Sequence, residues 1–272
     1  DELRERLRTL GMSEHEAWVD DFGLDPEVLA RARPLLGLLA ARWWRLEVVG
    51  APPRSPGPIL YVANRSGLLP WDGLMIAHQV AATRGESERP RFLVADWLVT
   101  LPFAQLLLAR LGGVRACREN AERLLRTGRS VVAFPEGAKG AAKVFRERYR
   151  LQRFGRGGVV RVALATGAPL VPVAVVGAEE AHPILFKVTT LARRAGLPFV
   201  PVTPTFPWLG PLGAVPLPSK WVIRFGEPLD TEGLPGEAAR DELLVSRLTE
   251  ELRSGVQAMV DVERQRRSGV FA

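Results

Sequence analysis

The stretch SVVAFPEG, residues 130–137, decides how the chain folds. Its apolar run from Val131 to Phe134 is short, opens on two β-branched residues and stops at the turn chemistry of Pro135-Glu136-Gly137. The run does not alternate with polar residues, so it reads as a strand buried on both faces. Upstream, RENAERLLRTG reads as a helix closed by Gly128, GVRAC as a short strand, and LPFAQLLLARLG as a helix ending at Gly112. Further upstream, PRFLVAD is strand-like. The run Ile59 to Ala63 is another strand, followed by the helical DGLMIAHQVAA with Asp72 as its cap. Downstream come a helix, GGVVRVALATG, and another buried strand, PLVPVAVVG. Strands that alternate with helices in this way predict an α/β fold: a mainly parallel central sheet flanked by helices. In such a sheet, chemistry belongs on loops at the carboxyl ends of the strands.

The ends of the chain frame this core. DPEVLARARPLLGLLAARWWRLEVVG, residues 25–50, reads as a helix with an Asp25 cap and Pro26 in its first turn, with a strand after it. Beyond GAEEAHP lies a proline-rich stretch, then the strand WVIRFGEPL and an amphipathic helix over about 238–264. We expect one domain over 1–272, with a helical N-terminal elaboration (1–50), an α/β core (51–230) and a C-terminal helix (231–272).

Composition excludes several classes. Of the 272 residues, 47% are hydrophobic, ample for a buried core. The single cysteine, Cys117, allows no intrachain disulfide and no thiolate metal cluster. The net charge of +7 could suit nucleic acid, an anionic membrane or a phosphorylated substrate. The basic residues are scattered, with no arm, stripe or zinc-finger spacing, which argues against nucleic acid. The opening DELRERLRTL has no apolar core of a signal peptide. The apolar run from Trp97 to Ala109 is too short to span a bilayer and contains Pro102, and the uncharged stretch from Ala195 to Ser219 holds seven prolines. No transmembrane helix is expected.

Four loops carry motif blocks that resemble those of the phospholipid/glycerol acyltransferase family, which includes the lysophospholipid and 1-acylglycerol-3-phosphate acyltransferases. NRSGLLPWD resembles the family's Asn-His followed by Asp, with Asn64, Arg65 and Asp72. GVRACR, Gly113 to Arg118, is similar to the second block. FPEGAK, Phe134 to Lys139, is similar to the third, and VPVAVVG with Pro172 to the fourth. The resemblance implies a glycerolipid acyltransferase-like fold and transfer of a fatty acyl group to a lysophospholipid or other glycerolipid hydroxyl. It implies no cofactor: acyl-CoA or acyl carrier protein would be the donor substrate. It also implies that Asp72 orients a base, that Arg118 and Lys139 hold the acceptor phosphate, and that Glu136 and Gly137 shape the loop beside them. Physically, an Arg fork and a mobile Lys charge on neighbouring loops suit a phosphate.

At the family's base position stands Arg65. A guanidinium keeps its proton at any working pH, so Arg65 cannot accept one. An ion pair between Arg65 and Asp72 is expected in its place. His78 is rotated away from Asp72 on the helix, His182 in EEAHP reads as structural, and His15 as exposed. Two readings follow. One is an O-acyltransferase with impaired or altered base chemistry; the other is a catalytically inactive lipid- or acyl-binding member of the same fold. A lipid acceptor also implies attachment to an anionic membrane surface, the inner face of the cytoplasmic membrane. Trp43 and Trp44, the helix around Leu106 and the Trp208 loop are the candidate contacts.

Overall fold

The computed structural model describes residues 19–67, 69–99, 104–189, 192, 199–229, 231, 233–234 and 236–271. His15 and Pro102 lie outside them. Among the described residues, nine strands form two sheets. The central sheet has seven: β1 (Glu47–Val49), β2 (Leu60–Ala63), β3 (Arg91–Val94), β4 (Gly113–Arg115), β5 (Val131–Ala133), β6 (Leu170–Val176) and β9 (Val222–Phe225). They lie in the order β1-β9-β6-β2-β5-β3-β4. Every neighbouring pair is parallel except β6 with β9, which run antiparallel from Val173↔Phe225 to Val176↔Val222. A small antiparallel pair, β7 (Phe186–Val188) and β8 (Val200–Val202), stands apart.

The three adjacent strands β2, β5 and β6 are buried along their whole length, as unbroken apolar runs require. On one face the sheet packs on Leu124, Val160, Leu252 and Val256, from the helices Arg118–Arg126, Gly158–Thr166 and Glu242–Arg266. On the other it packs on Met75, Ile76 and Trp44. Trp44 is fully buried, stacked on Trp221 at 4.2 Å and edge-on to Trp71 at 5.7 Å, and so cannot serve as a membrane contact.

Local capping sets the helix starts. The Asp25 carboxylate accepts from the backbone of Glu27 and Val28 at 3.0 and 3.1 Å, with Pro26 in the first turn of the helix Pro26–Leu38. Asp241 caps the long last helix in the same way, accepting from Leu243 and Leu244. Several boundaries differ from the sequence reading: Asp72 lies inside the first turn of the helix Trp71–Arg84 and does not cap it, and the last helix starts at Glu242, past the expected 238. The helix Pro26–Leu38 closes with a π turn at Trp43, and Glu47–Val49 is an edge strand paired with β9. Arg45 takes φ 43°, a left-handed turn that ends the helix before the β-branched Val48 and Val49.

Candidate active site

The loops after β2, β4 and β5 meet at the carboxyl end of the parallel strands, as the alternation implied. After β2, Asn64 is fully buried and makes both halves of an amide bridge to Val175 of β6. Its Nδ2 donates to the carbonyl at 2.9 Å and its Oδ1 accepts from the amide at 2.8 Å. This side chain extends the β2–β6 pairing by one step and aims the next residue inward.

That residue is Arg65, 4% exposed. Its Nη1 donates to Asp72 Oδ1 at 3.1 Å, with the Asp72 side chain 1% exposed in the first turn of the helix Trp71–Arg84. The same Oδ1 also accepts from the backbone amide of Gly73 at 2.8 Å, and Oδ2 accepts from that of Ser66 at 2.9 Å. The Arg65 guanidinium lies 4.9 Å from the centre of the Phe134 ring. The carboxylate that would orient a base here orients a cation.

Glu136 is buried and faces protein. Its Oε1 accepts from the backbone amide of Arg65 and its Oε2 from that of Gln152, both at 2.7 Å. Lys143 Nζ lies 3.4 Å from Glu136 Oε2 and donates to Glu179 Oε1 at 2.6 Å. Glu136 therefore ties the β2 loop to the β5 loop, and one buried ammonium serves two buried carboxylates. Burial alone would lower the Lys143 ammonium, but Glu179 and then Glu136 together hold it above its ordinary range. Burial raises the Glu179 carboxyl, and Lys143 reverses that only in part.

Gly137 adopts φ 57° and starts the short helix Gly137–Ala141. Gly140 on that helix is a close approach: a Cβ there would stand 2.5 Å from Glu136 Cβ and 2.8 Å from Arg65 Cβ. Lys139 is exposed on that helix, like Ala138 before it, while Gly140 after it is buried.

These loops wall a cavity of about 340 Å³. Much of its wall is apolar, with Leu60, Leu93, Phe154, Val159 and Val162 among the lining residues. Its charges are all positive among the described residues: Arg65, Arg118 and Arg156. Arg118, exposed at the start of the helix Arg118–Arg126, also donates to Glu122 at 2.6 Å. Gly137 and Cys117 line the cavity; Lys139, Asp72 and Glu136 do not.

Arg156 went without a role in the sequence reading. The signal was there in FGRGG: Arg156 stands between Gly155 (φ 57°) and Gly157 (φ 76°), directly before the helix Gly158–Thr166. Backbone amides at a helix start favour an anion, and an Arg beside them adds its fork of donors. Lys143 and Glu179 were also missed, because neither stands in a motif block.

His78 and His182 lie outside this cavity. Burial lowers both imidazoles, which keeps them neutral near pH 7. His182 Nε2 lies 2.9 Å from the Ala214 carbonyl, and the ring shares a narrow crevice with Ser66 and Gly67. It is thus close in space to the Arg65 loop, on a different opening from the one that Arg65 lines.

Comparisons with known proteins agree with this architecture. The acyltransferase family model matches residues 45–176, which hold the first three motif blocks and the strand of the fourth. An uncharacterized protein of Mycobacterium bovis is 46% identical over 242 residues, covering 88% of this chain and 67% of that one. An uncharacterized protein of Mycobacterium leprae is 46% identical over 241 residues, with 88% and 66% covered. The chain thus spans about two thirds of the length of these relatives. In fold it is similar to the crystal structure of the 1-acyl-sn-glycerophosphate (LPA) acyltransferase PlsC from Thermotoga maritima. The TM-score is 0.54 at 18% identity, covering 88% of this chain and 81% of that one. The chain belongs to the acyltransferase family.

Proposed function

We propose that this protein moves a fatty acyl group from an acyl thioester, acyl-CoA or acyl carrier protein, to the hydroxyl of a lysophospholipid or related glycerolipid, slowly for want of a base. The observation that carries this reading is the apolar cavity whose described charges are three arginines. An acyl chain fits an apolar wall. A phosphate on the acceptor fits the guanidinium forks of Arg118 and Arg156. Arg65, held by Asp72, is placed to donate to an oxyanion. In the transfer the acceptor oxygen attacks the thioester carbon, a C–O bond forms, the C–S bond breaks, and the thiol leaves. The hydroxyl proton passes to solvent, because the residue at position 65 cannot take it, and the departing thiolate takes a proton back from solvent. A positioned base typically contributes ~10²- to 10⁴-fold, so turnover without one is residual.

A second reading is supported by the same ion pair. With Arg65 locked on Asp72 and both buried, the protein would hold a lipid or acyl thioester without transferring it. Release of free thiol from acyl-CoA in the presence of lysophosphatidic acid separates the two. The transferase reading expects slow, acceptor-dependent release that falls about tenfold or more in Arg118→Ala or Arg156→Ala, since a charged hydrogen bond to phosphate is worth ~1.5–3 kcal/mol. Saturable binding of the acceptor with no release above background supports the holding reading.

Either reading needs access to a bilayer. No helix among the described residues is long and apolar enough to cross a membrane. Exposed apolar side chains cluster on two segments, Leu35, Leu38 and Trp43 on one, Trp208 and Leu212 on the other. A hydrogen bond of 2.9 Å from Trp43 Nε1 to the Pro216 carbonyl ties these segments together. Arg42 and Arg45 are exposed beside Trp43. We place peripheral attachment to the inner face of the cytoplasmic membrane here. The expected result is co-sedimentation with phosphatidylglycerol vesicles at low salt, reduced severalfold by Trp208→Ala with Leu212→Ala. Protein left in the supernatant with such vesicles rules the attachment out.

A further inference from the structure

A second cavity of about 340 Å³ lies between the segment 146–150 and the end of the last helix, where the apolar pocket does not reach. It is lined by five arginines, Arg146, Arg148, Arg150, Arg264 and Arg267, against one carboxylate, Glu180. That carboxylate is already neutralised. Its side chain is 4% exposed, Oε2 lies 2.6 Å from Arg267 Nη2, and Oε1 accepts from the Tyr149 hydroxyl at 2.7 Å. The cleft therefore carries a large uncompensated positive charge. Crowding like charges costs energy unless a counter-charge is supplied. The Nε group of Arg267 is buried without a hydrogen-bond partner, and that of Arg148 makes no hydrogen bond and has only the distant Glu180 Oε1, at 3.9 Å, as an ion-pair partner.

The wall of this cleft is also built at a cost. Tyr149 is 3% exposed and holds φ 66°, a left-handed backbone that non-glycine residues rarely adopt and that tends to accompany function. Four contacts enforce it. Its amide donates to Glu179 Oε2 at 2.6 Å, its carbonyl accepts from Gln257 at 2.9 Å, and its hydroxyl accepts from Gly177 at 3.2 Å and Arg267 at 3.0 Å. Glu179 is the carboxylate that Lys143 shares with Glu136, so the cleft wall is bonded through to the Arg65 loop.

We propose that this cleft is a second anion-binding site, separate from the apolar pocket, which takes a ligand carrying two or more phosphates. A cavity of about 340 Å³ holds roughly ten waters at ~30 Å³ each, room for more than a single phosphate. Arginine forks bind phosphate oxygens in pairs, and the exposed Arg146, Arg150 and Arg264 form no ion pair among the described residues. Such a ligand could be the bisphosphate nucleotide portion of a thioester donor or clustered lipid headgroups; the chemistry is shared. The site does not depend on whether acyl transfer occurs.

The test is titration calorimetry with inorganic pyrophosphate at low salt. The native protein is expected to bind saturably, and Arg146→Ala with Arg264→Ala is expected to weaken binding by about tenfold or more, with an unchanged melting temperature. Arg118→Ala with Arg156→Ala, in the other pocket, should change it less than about twofold. Competition by adenosine 3′,5′-bisphosphate assigns the nucleotide source, and competition by phosphatidylglycerol vesicles but not the bisphosphate assigns headgroups. No saturable binding, or binding lost in the Arg118/Arg156 variant and kept in the Arg146/Arg264 variant, overturns the proposal.

Discussion

Replacing Arg65 by His is expected to raise acyl transfer to lysophosphatidic acid by ~10²- to 10⁴-fold over the native protein, the usual contribution of a positioned general base. The surroundings are arranged for it. Asp72 is held by the amides of Ser66 and Gly73 independently of the guanidinium, so it stays in place when Arg65 is removed. Because the Ser66 amide contacts Asp72 Oδ2 at 2.9 Å, the carboxylate is close to the backbone at position 65. The shorter imidazole can therefore reach it with one nitrogen and offer the other to the acceptor hydroxyl. Arg65→Gln, polar but without basicity, should show no gain over the native protein. A folded Arg65→His protein with no gain would show that Asp72 no longer orients a reactive group. A native rate already in the ordinary enzymatic range, unmoved by the substitution, would mean that the proton is taken elsewhere.

Lys143→Met is expected to cost ~3–5 kcal/mol of folding stability near pH 8, the range found when one partner of a buried ionic cluster is removed. The Lys143 side chain is 4% exposed and stands between Glu136 and Glu179, at 0% and 7%. Without it two carboxylates face each other in the core. The defect should depend on pH with a definite sign. Burial already raises the Glu179 carboxyl, and loss of Lys143 removes its main downward influence. A carboxyl whose folded-state value lies above its unfolded one contributes stability below the ordinary carboxylate range and loses it as pH rises through the raised value. The variant should therefore be closer to native at pH 5 than at pH 8 in urea unfolding. A deficit that is the same at both pH values would mean that Glu179 is not the group left uncompensated.

This cluster also bears on how the site is held. Glu136 stands in the most recognisable block of the chain, yet it touches two backbone amides and Lys143 and lines no part of the apolar cavity. Its work is to fix Arg65, through the backbone, against the β5 loop. Gly140 completes that contact, because any Cβ there would collide with Arg65 and Glu136. The FPEG turn is thus a clamp for the neighbouring loop.

What was legible in the sequence was local. Unbroken apolar runs marked β2, β5 and β6, a capping Asp25 marked the helix Pro26–Leu38, amphipathic spacing marked the last helix, and the alternation of strands and helices implied a mainly parallel sheet. The Arg65–Asp72 pair could also be anticipated, since the partners stand seven positions apart in one strand-loop-helix unit and a fixed cation finds the nearest carboxylate. Tertiary structure decided which charges share a space. Lys139 and Arg156 are both cations beside glycines, and sequence favoured Lys139 because it stands in a motif. The turn of the short helix leaves Lys139 exposed and outside the cavity, while the glycines on either side of Arg156 set it in the cavity wall. The joining of Lys143 to Glu179, 36 residues on, depends on the register of β6 beside β2 and on the depth at which the connecting loops pack. Hydrophobic periodicity is a property of a single segment, whereas the convergence of buried charges is a property of several segments packed together, and no local pattern encodes it.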